Sequence, residues 1–305
     1  MIPGDDPRFE ALFEPRGVVV VGASTHPGKF GFVALHNILA AGYRGTVHAT
    51  NRDAEPVLGV AAHPSVSAIP ADDLDLAFVC TPAAANPEVL RECAAKGVRA
   101  AFIASAGYRE AGEEGRRRED ELVELAAELG ILLVGPNGQG VVSTPVSLCA
   151  QIVAPYPPPG RIGIASQSGN FVSSFMNWSQ HSGVGISRAL SAGNSAMVEV
   201  TDLLDFYARD EATAVALTYL EGLDDGRAVY ERVRRVAAEI PVVAVKGGTT
   251  GAGARAAASH TGSLAADDAV FSGACRQAGV TRACTVEEAF EAAATFATQP
   301  LPRGN

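Results

Sequence analysis

The run Gly17-Val-Val-Val-Val21 narrows the possible folds most. An uninterrupted β-branched run of this length suits a strand buried on both faces, and such strands belong to parallel sheets. It leads into Gly22-Ala-Ser-Thr-His-Pro-Gly-Lys-Phe-Gly31, after which residues 32–39 read as a helix closed near Gly42. Strand, glycine-rich turn and helix open a nucleotide-binding βαβ unit. The turn is of neither standard type. Ser24 stands where the dinucleotide fingerprint needs its second glycine. Five residues, not four, separate Gly22 from Gly28-Lys29, and Phe30 replaces the Ser or Thr of a Walker A loop. A phosphate cradle using Gly22, Ser24 and Lys29 and a purely structural turn both fit.

The alternation continues. Residues 46–50 form a second strand ending at Asn51-Arg52, where an NAD site would place an acid. Asn51 and Arg52 suit a phosphorylated ribose better, as in coenzyme A or NADP; a solvated Arg52 is the plain alternative. Residues 74–80 form a third strand ending in Thr81-Pro82, followed by a helix over 86–97. Residues 100–104 form the next strand, ending at Ser105-Ala-Gly-Tyr-Arg109. The charged helix over 113–130 presents Arg116-Arg-Arg118 as a solvated face. The strand at 131–134 ends in Gly135-Pro-Asn137-Gly-Gln-Gly140. Parallel strands with polar carboxyl ends predict a ligand crevice along that edge. Tyr156-Pro-Pro-Pro-Gly160 reads as a stiff connector, which sets domains at 1–150 and 158–305.

A new α/β alternation follows. A strand over 161–165 meets Ser166-Gln-Ser-Gly169 and a helix from Phe171. Ser166, Ser168 and Gly169 offer hydroxyls and N–H groups at a helix N-terminus, which suits a phosphate; ordinary N-capping by Ser168 is the alternative. Strands at 186–190 and 214–220 end in Ser191-Ala-Gly-Asn194 and Glu221-Gly222. An acid at a strand end can orient a catalytic group, or can simply be exposed. Helices are expected over 200–208, 226–239, 267–279 and 286–298, with a short strand over 280–283. The strand at 241–245 enters Lys246-Gly-Gly-Thr-Thr-Gly-Ala-Gly-Ala-Arg-Ala-Ala-Ala-Ser-His260-Thr-Gly-Ser-Leu264. Its glycines allow close backbone approach to an anion, and His260 has the chemistry of a phosphoryl acceptor or acid/base. A solvent-exposed loop histidine also fits that position alone.

At 305 residues, 47% hydrophobic and 19% charged, the chain has enough for two packed domains. A net charge of −10 disfavours nucleic-acid and membrane surfaces. The five cysteines, Cys80, Cys93, Cys149, Cys275 and Cys284, form no C-x-x-C pair and read as buried free thiols of a reducing compartment, not a zinc site. With no signal-peptide pattern and no apolar run of spanning length, a cytoplasmic location is expected.

The set of turns resembles the α-subunit, or α-like part, of the NDP-forming acyl-CoA synthetases, with the ADP-forming acetyl-CoA synthetases nearest and the succinyl-CoA ligase α-subunit more distant. The resemblance runs in order through Val21-Gly-Ala-Ser24, Ser105-Ala-Gly-Tyr-Arg-Glu110, Gly135-Pro-Asn137, Ser166-Gln-Ser-Gly169 and Ser191-Ala-Gly-Asn194. It continues through Tyr219-Leu-Glu-Gly222, Asp225-Gly-Arg227 and Gly253-Ala-Arg-Ala-Ala-Ala-Ser-His-Thr-Gly262. It implies an α/β protein with an N-terminal Rossmann-like CoA-binding domain and a flavodoxin-like, succinyl-CoA synthetase-like ligase domain. Coenzyme A would contact Gly22, Ser24, Lys29, Asn51, Arg52, Thr81, Pro82, Ser105 and Asn137. Ser166, Ser168 and Gly169 would hold inorganic phosphate, His260 would carry the phosphoryl group, and Glu221 would steady it. The chain departs from the family pattern at Asn51-Arg52, where Asn-Pro is common, at Gly138, where Cys is frequent, and at Ala266, where Gly is common. The stretch after His260 is too short for an ATP-grasp part. A β-subunit or a further domain binding ATP/ADP with Mg2+ is therefore expected, in a hetero-oligomer acting on a carboxylic acid. A non-catalytic CoA-binding regulatory module and an NADP-dependent oxidoreductase are the alternatives.

Overall fold

A computed structural model of the protein describes residues 2–153, 156–222, 225–248 and 267–301. They fall into two compact units, residues 6–156 with 190–199, and residues 2–5, 157–189 and 200 onward.

In the first unit a short helix α1 (Arg8–Phe13) precedes β1 (Gly17–Val21), α2 (Phe30–Ala40), β2 (Thr46–Thr50), β3 (Ala62–His63) and β4 (Leu74–Val79). Then come α3 (Asn86–Ala95), β5 (Ala100–Ile103), α4 (Glu113–Glu128) and β6 (Leu132–Val134). The strand order is β3-β2-β1-β4-β5-β6, and every neighbouring pair is parallel. This is the order of dinucleotide-binding sheets, which reverse direction between β1 and β4. Every residue of β1, β4, β5 and β6 is buried, as expected for strands covered on both faces. The one charge inside them, Asp75, is 2% exposed and receives a two-pronged bond from Arg16 at 2.8 and 2.9 Å.

An antiparallel hairpin, β7 (Gly140–Ser143) and β8 (Leu148–Gln151), follows β6. Sequence reading missed it, along with α1 and β3. A six-residue helix and a two-residue strand are too short to show a period, and the hairpin begins inside a glycine-rich stretch.

The second unit holds β9 (Pro159–Ser166), α5 (Gly169–Ser182), β10 (Ile186–Ser191, whose last two residues fall in the first unit), α6 (Val200–Tyr207) and β11 (Val215–Leu220). It continues with α7 (Gly226–Glu239), β12 (Val242–Lys246), α8 (Asp268–Ala278), β13 (Thr281–Ala283) and α9 (Val286–Thr298). Its five strands run β13-β12-β11-β9-β10, and β9, β11, β12 and β13 pair in parallel. That is the flavodoxin order, which switches between β9 and β11. The connector expected at residues 156–160 is shorter than its proline run, because β9 already starts at Pro159, a position where a strand tolerates proline. Buried Arg232 on α7 draws residues 2–5 onto this unit. It bonds Asp202, Asp205 (2.7 Å) and the carbonyl of Ile2, whose own N–H reaches Asp202 at 2.9 Å.

Aromatic rings seat α5 and α9 together. Phe290 meets Phe175 edge-on at 4.6 Å, with Phe171 and the single tryptophan, Trp178, each at 5.6 Å. Truncating Phe290 to alanine is expected to cost about 3–5 kcal/mol. Urea unfolding followed by Trp178 fluorescence reads this directly; a loss below about 1 kcal/mol would show that the cluster does not anchor the unit.

Candidate functional site

The first unit's switch point lies between the carboxyl ends of β1 and β4. Where β1 ends, the N–H groups of Gly22 and Ala23 both donate to the Thr50 carbonyl, at 3.0 and 2.8 Å. Here α2 approaches very closely: a Cβ added to Gly31 would stand 2.1 Å from the Gly22 carbonyl oxygen. Gly31 therefore has the part that the third glycine plays in a dinucleotide fingerprint, close helix–strand packing. Sequence reading overlooked it because it lies outside the standard spacing. Ser24 is half-buried and accepts from the His26 N–H at 3.1 Å; Lys29, at the N-cap of α2, is exposed.

The expected CoA residues on β2, β4, β5 and β6 divide into two kinds. Arg52 and Pro82 are exposed. Asn51 closes its own turn: its amide donates to the Glu55 carbonyl at 2.7 Å, and its side-chain oxygen accepts from the Glu55 N–H at 2.9 Å. Thr81 and Ser105 turn inward to Asn86, which is fully buried. Thr81 Oγ1 donates to Asn86 Oδ1 at 2.8 Å, and Asn86 Nδ2 donates to Ser105 Oγ at 3.1 Å and to the Tyr108 hydroxyl at 2.6 Å. Burial pushes the Tyr108 phenol up to about 12 against the opposing pull of the Asn86 bond, so it stays neutral. Asn86 thus ties the ends of β4 and β5 together, and sequence reading had named it only as a helix start.

A second carboxamide closes the rest of this edge. Asn194 Nδ2 donates to Glu110 Oε2 and to Glu119 Oε2, each at 2.7 Å. Glu110 Oε1 accepts from the N–H of Gly107 (2.6 Å) and of Tyr108 (3.1 Å), and Arg109 pairs with Glu119 at 3.2 Å. Burial raises the Glu110 carboxyl, but the bonds from Asn194 and those two N–H groups outweigh it and hold it below its ordinary 4.5. The Asn194 N–H bonds the Pro136 carbonyl at 2.9 Å, and the Asn137 N–H bonds the Ser105 carbonyl at 3.1 Å. Of the Arg116-Arg-Arg118 face, Arg116 and Arg117 are solvated as expected. Arg118 is half-buried instead and donates to the Gly107 carbonyl at 2.9 Å.

The cysteines are free thiols. Burial pushes Cys80, Cys93 and Cys149 each up to about 12, which favours the neutral thiol. Cys284 departs from the expectation: it is exposed, sitting just before the α9 capping box of Thr285 and Glu288.

In the second unit the switch point lies between β9 and β11. Ser166 is buried, accepts from the Ser168 N–H at 3.0 Å and donates to the Ser168 carbonyl at 2.8 Å, which folds the turn into α5. Ser168 occupies the N-cap of α5, yet its side chain makes no capping hydrogen bond. The capping alternative therefore gives way, and a 14-residue helix begins directly at the switch point, where the N-terminus of a helix suits an anion. Across the switch, half-buried Glu221 follows β11. Burial and then the Glu221 charge raise the phenol of neighbouring Tyr219, whose ring stacks on Phe171 at 4.9 Å. His260 lies outside the described residues. Among those described, no helix is long and apolar enough to cross a membrane.

Two switch-point sheets in tandem define a doubly wound α/β protein, an architecture whose ligands bind outside the carboxyl ends of the strands. The comparisons narrow the class. Residues 16–144 match a family model described as a CoA binding domain, and residues 159–296 one described as a succinyl-CoA ligase like flavodoxin domain. The acetate–CoA ligase (ADP-forming) I subunit alpha of Pyrococcus furiosus is 41% identical over 97% of this chain and 65% of its own length. The acetate–CoA ligase (ADP-forming) I of Archaeoglobus fulgidus is 43% identical over 93% of this chain and 41% of its own. A solved dinucleotide-forming acetyl-coenzyme A synthetase 1 of Ca. Korarchaeum cryptofilum, in complex with phosphate and ADP, superposes with a TM-score of 0.90 at 36% identity. That match covers 97% of this chain and 64% of the other. This chain belongs to the NDP-forming acyl-CoA synthetase family and corresponds to its α-subunit or α-like part. It spans between two-fifths and two-thirds of the length of these relatives.

Two outcomes are expected. Gly31→Ala should cost about 1–3 kcal/mol in urea unfolding, because the Gly22 turn must shift to clear the added Cβ. Asn194→Ala should cost about 1–2 kcal/mol, mostly through buried Glu119, since Glu110 is solvent-screened. Because the Glu110 carboxyl is depressed in the folded protein, its share is present above its ordinary 4.5 and fades as pH falls through the lower folded value. The gap between the urea midpoints of the two proteins should narrow by that minor share, without closing, as pH falls below 4.5.

Proposed function

We propose that this chain is the α part of an acid–CoA ligase that converts acyl-CoA, inorganic phosphate and a nucleoside diphosphate into acid, coenzyme A and the triphosphate. The observation that carries the reading is the β9/β11 switch point, where the turn into α5 meets, through Gln167, the turn that bears Glu221. Coenzyme A binds the first unit at the β1/β4 switch. Gly22, Ser24, Lys29 and Arg52 are the contacts available to it, while Thr81, Ser105, Asn51 and Asn137 shape the loops around it.

Ser168, the Gly169 N–H and the α5 dipole hold the phosphate while one of its oxygens attacks the thioester carbonyl. The carbon–sulfur bond breaks, the thiolate leaves and takes a proton, and an acyl phosphate remains. The His260 imidazole then takes the phosphoryl group as the carboxylate departs, with Glu221 fixing the tautomer. The nucleotide, as ADP/ATP with Mg2+, is handled by an ATP-grasp β-subunit or domain in a cytoplasmic oligomer. Among acids, acetate is the first choice, since the relatives named above act on it.

The test needs only this chain. Incubated with labelled phosphate and acetyl-CoA, wild type should acquire an acid-labile, base-stable label and release coenzyme A, and His260→Ala should not. Ser168→Ala should label on the order of 10²-fold more slowly. Folded, CoA-bound wild type that takes no label from acetyl-CoA, nor from ATP with a candidate ATP-grasp partner, would leave a CoA-binding module. Binding of NADPH in place of coenzyme A would overturn the reading altogether.

A further inference from the structure

The ladder between β9 and β11 ends with Ser166 paired to Tyr219. Beyond it β9 turns away into α5, while the chain of β11 runs on through Glu221 and Gly222. Their backbone groups would be left without partners on that side, at a cost comparable to a lost hydrogen bond each. One side chain supplies three of those partners. Gln167 Oε1 accepts from the Glu221 N–H at 2.6 Å and from the Gly222 N–H at 3.3 Å, and Gln167 Nε2 donates to the Gly222 carbonyl at 3.2 Å. The Gln167 N–H itself bonds the Tyr219 carbonyl at 3.2 Å. The carboxamide acts as one extra peptide group of β9, spanning the switch point at the spot where the two strands part.

The other flank of Glu221 is closed as well. The Gly247 N–H bonds the Leu220 carbonyl at 2.8 Å. A Cβ on Gly247 would lie 2.6 Å from the Tyr219 hydroxyl and 3.4 Å from Glu221 Cγ. The Glu221 turn is therefore held between the Gly247 backbone that follows β12 on one side and the Gln167 side chain on the other.

We propose that Gln167 is the positioning residue of the phosphoryl site: it fixes the Glu221 turn, and through it the carboxylate, relative to the α5 N-terminus. The catalytic consequence rests on the function proposed above; the clamp itself does not. A carboxamide is required because the task needs an acceptor for two N–H groups and a donor for one carbonyl, with no charge added beside Glu221.

Gln167→Met keeps the length and removes the bonds. Hydrogen exchange on the full chain should then speed up about tenfold at the Glu221 and Gly222 amides, with the β1–β6 amides and the melting temperature little changed. In the labelling reaction Gln167→Met should fall to the rate of Glu221→Gln with an unaltered KM for acetyl-CoA. The Gln167→Met/Glu221→Gln double variant should be no slower than either single one. Unchanged exchange at the two amides, or losses that multiply in the double variant, would overturn the proposal. If wild type takes no label, the ligase reading fails while the exchange result still decides the clamp. Should the methionine variant not fold, Gln167→Glu, which keeps the acceptor but not the donor, is expected to retain protection at Glu221 while labelling more slowly than wild type. Labelling at the wild-type rate would count against the proposal.

Discussion

Everything in this protein follows from strands that are buried on both faces. A parallel strand cannot return by a tight turn, so the chain must cross over through a helix each time, and both faces of the sheet need covering. In an open sheet, covering both means reversing the direction of winding once. That reversal separates two neighbouring strand ends, β1 from β4 in the first unit and β9 from β11 in the second. The turns that leave those ends diverge and expose N–H groups and hydroxyls. The location of both candidate sites is thus a by-product of burying valine-rich strands, before any functional residue is considered.

What the switch points demand is a supply of hydrogen-bond partners, and carboxamides meet it repeatedly. Asn86 joins the ends of β4 and β5, Asn194 draws Glu110 and Glu119 together, Asn51 closes its own turn, and Gln167 extends β9 past its end. A carboxamide carries a donor and an acceptor like a peptide group and brings no charge. That neutrality matters in a chain with a net charge of −10 whose proposed ligands are anions. Attraction has to be local, from the α5 N-terminus and from exposed Lys29 and Arg52, and carboxylates near those points must be pinned. Glu110 is held ionised by three donors, and Glu221 is fixed through its backbone.

Helix packing stabilises this edge from behind. Phe171 touches both the aromatic cluster of α9 and the ring of Tyr219, so the turn that starts α5 and the strand that ends in Glu221 share one packing unit. Displacing α9 would be felt two residues from Glu221.

The strands, the helices between them and the glycine- and serine-rich turns were legible in the sequence because burial on both faces leaves a signature in composition alone: Gly17–Val21 could hardly be anything but an internal parallel strand. The motif residues Ser166, Ser168 and Glu221 could be placed at strand ends for the same reason, and the family resemblance supplied their chemistry. Tertiary structure alone decided which side chains bond to which. Thr81 and Ser105 read as ligand-facing hydroxyls, yet they turn inward, because fully buried Asn86 needs partners and they are the nearest. Arg118 reads as one of three solvated arginines, yet it bends back to the Gly107 carbonyl. Gly31 matters because a Cβ there would stand 2.1 Å from the Gly22 carbonyl oxygen, a clash that no motif spacing announces. Gln167 and Asn194 stood in plain view within Ser166-Gln-Ser-Gly169 and Ser191-Ala-Gly-Asn194, but nothing local marks them. Their bonds reach across 54 and 84 residues to Glu221 and Glu110. Periodicity reports which faces are buried, since that is a property of each element by itself. Hydrogen-bond partnership is a property of two chain segments at once, and only their juxtaposition in space determines it.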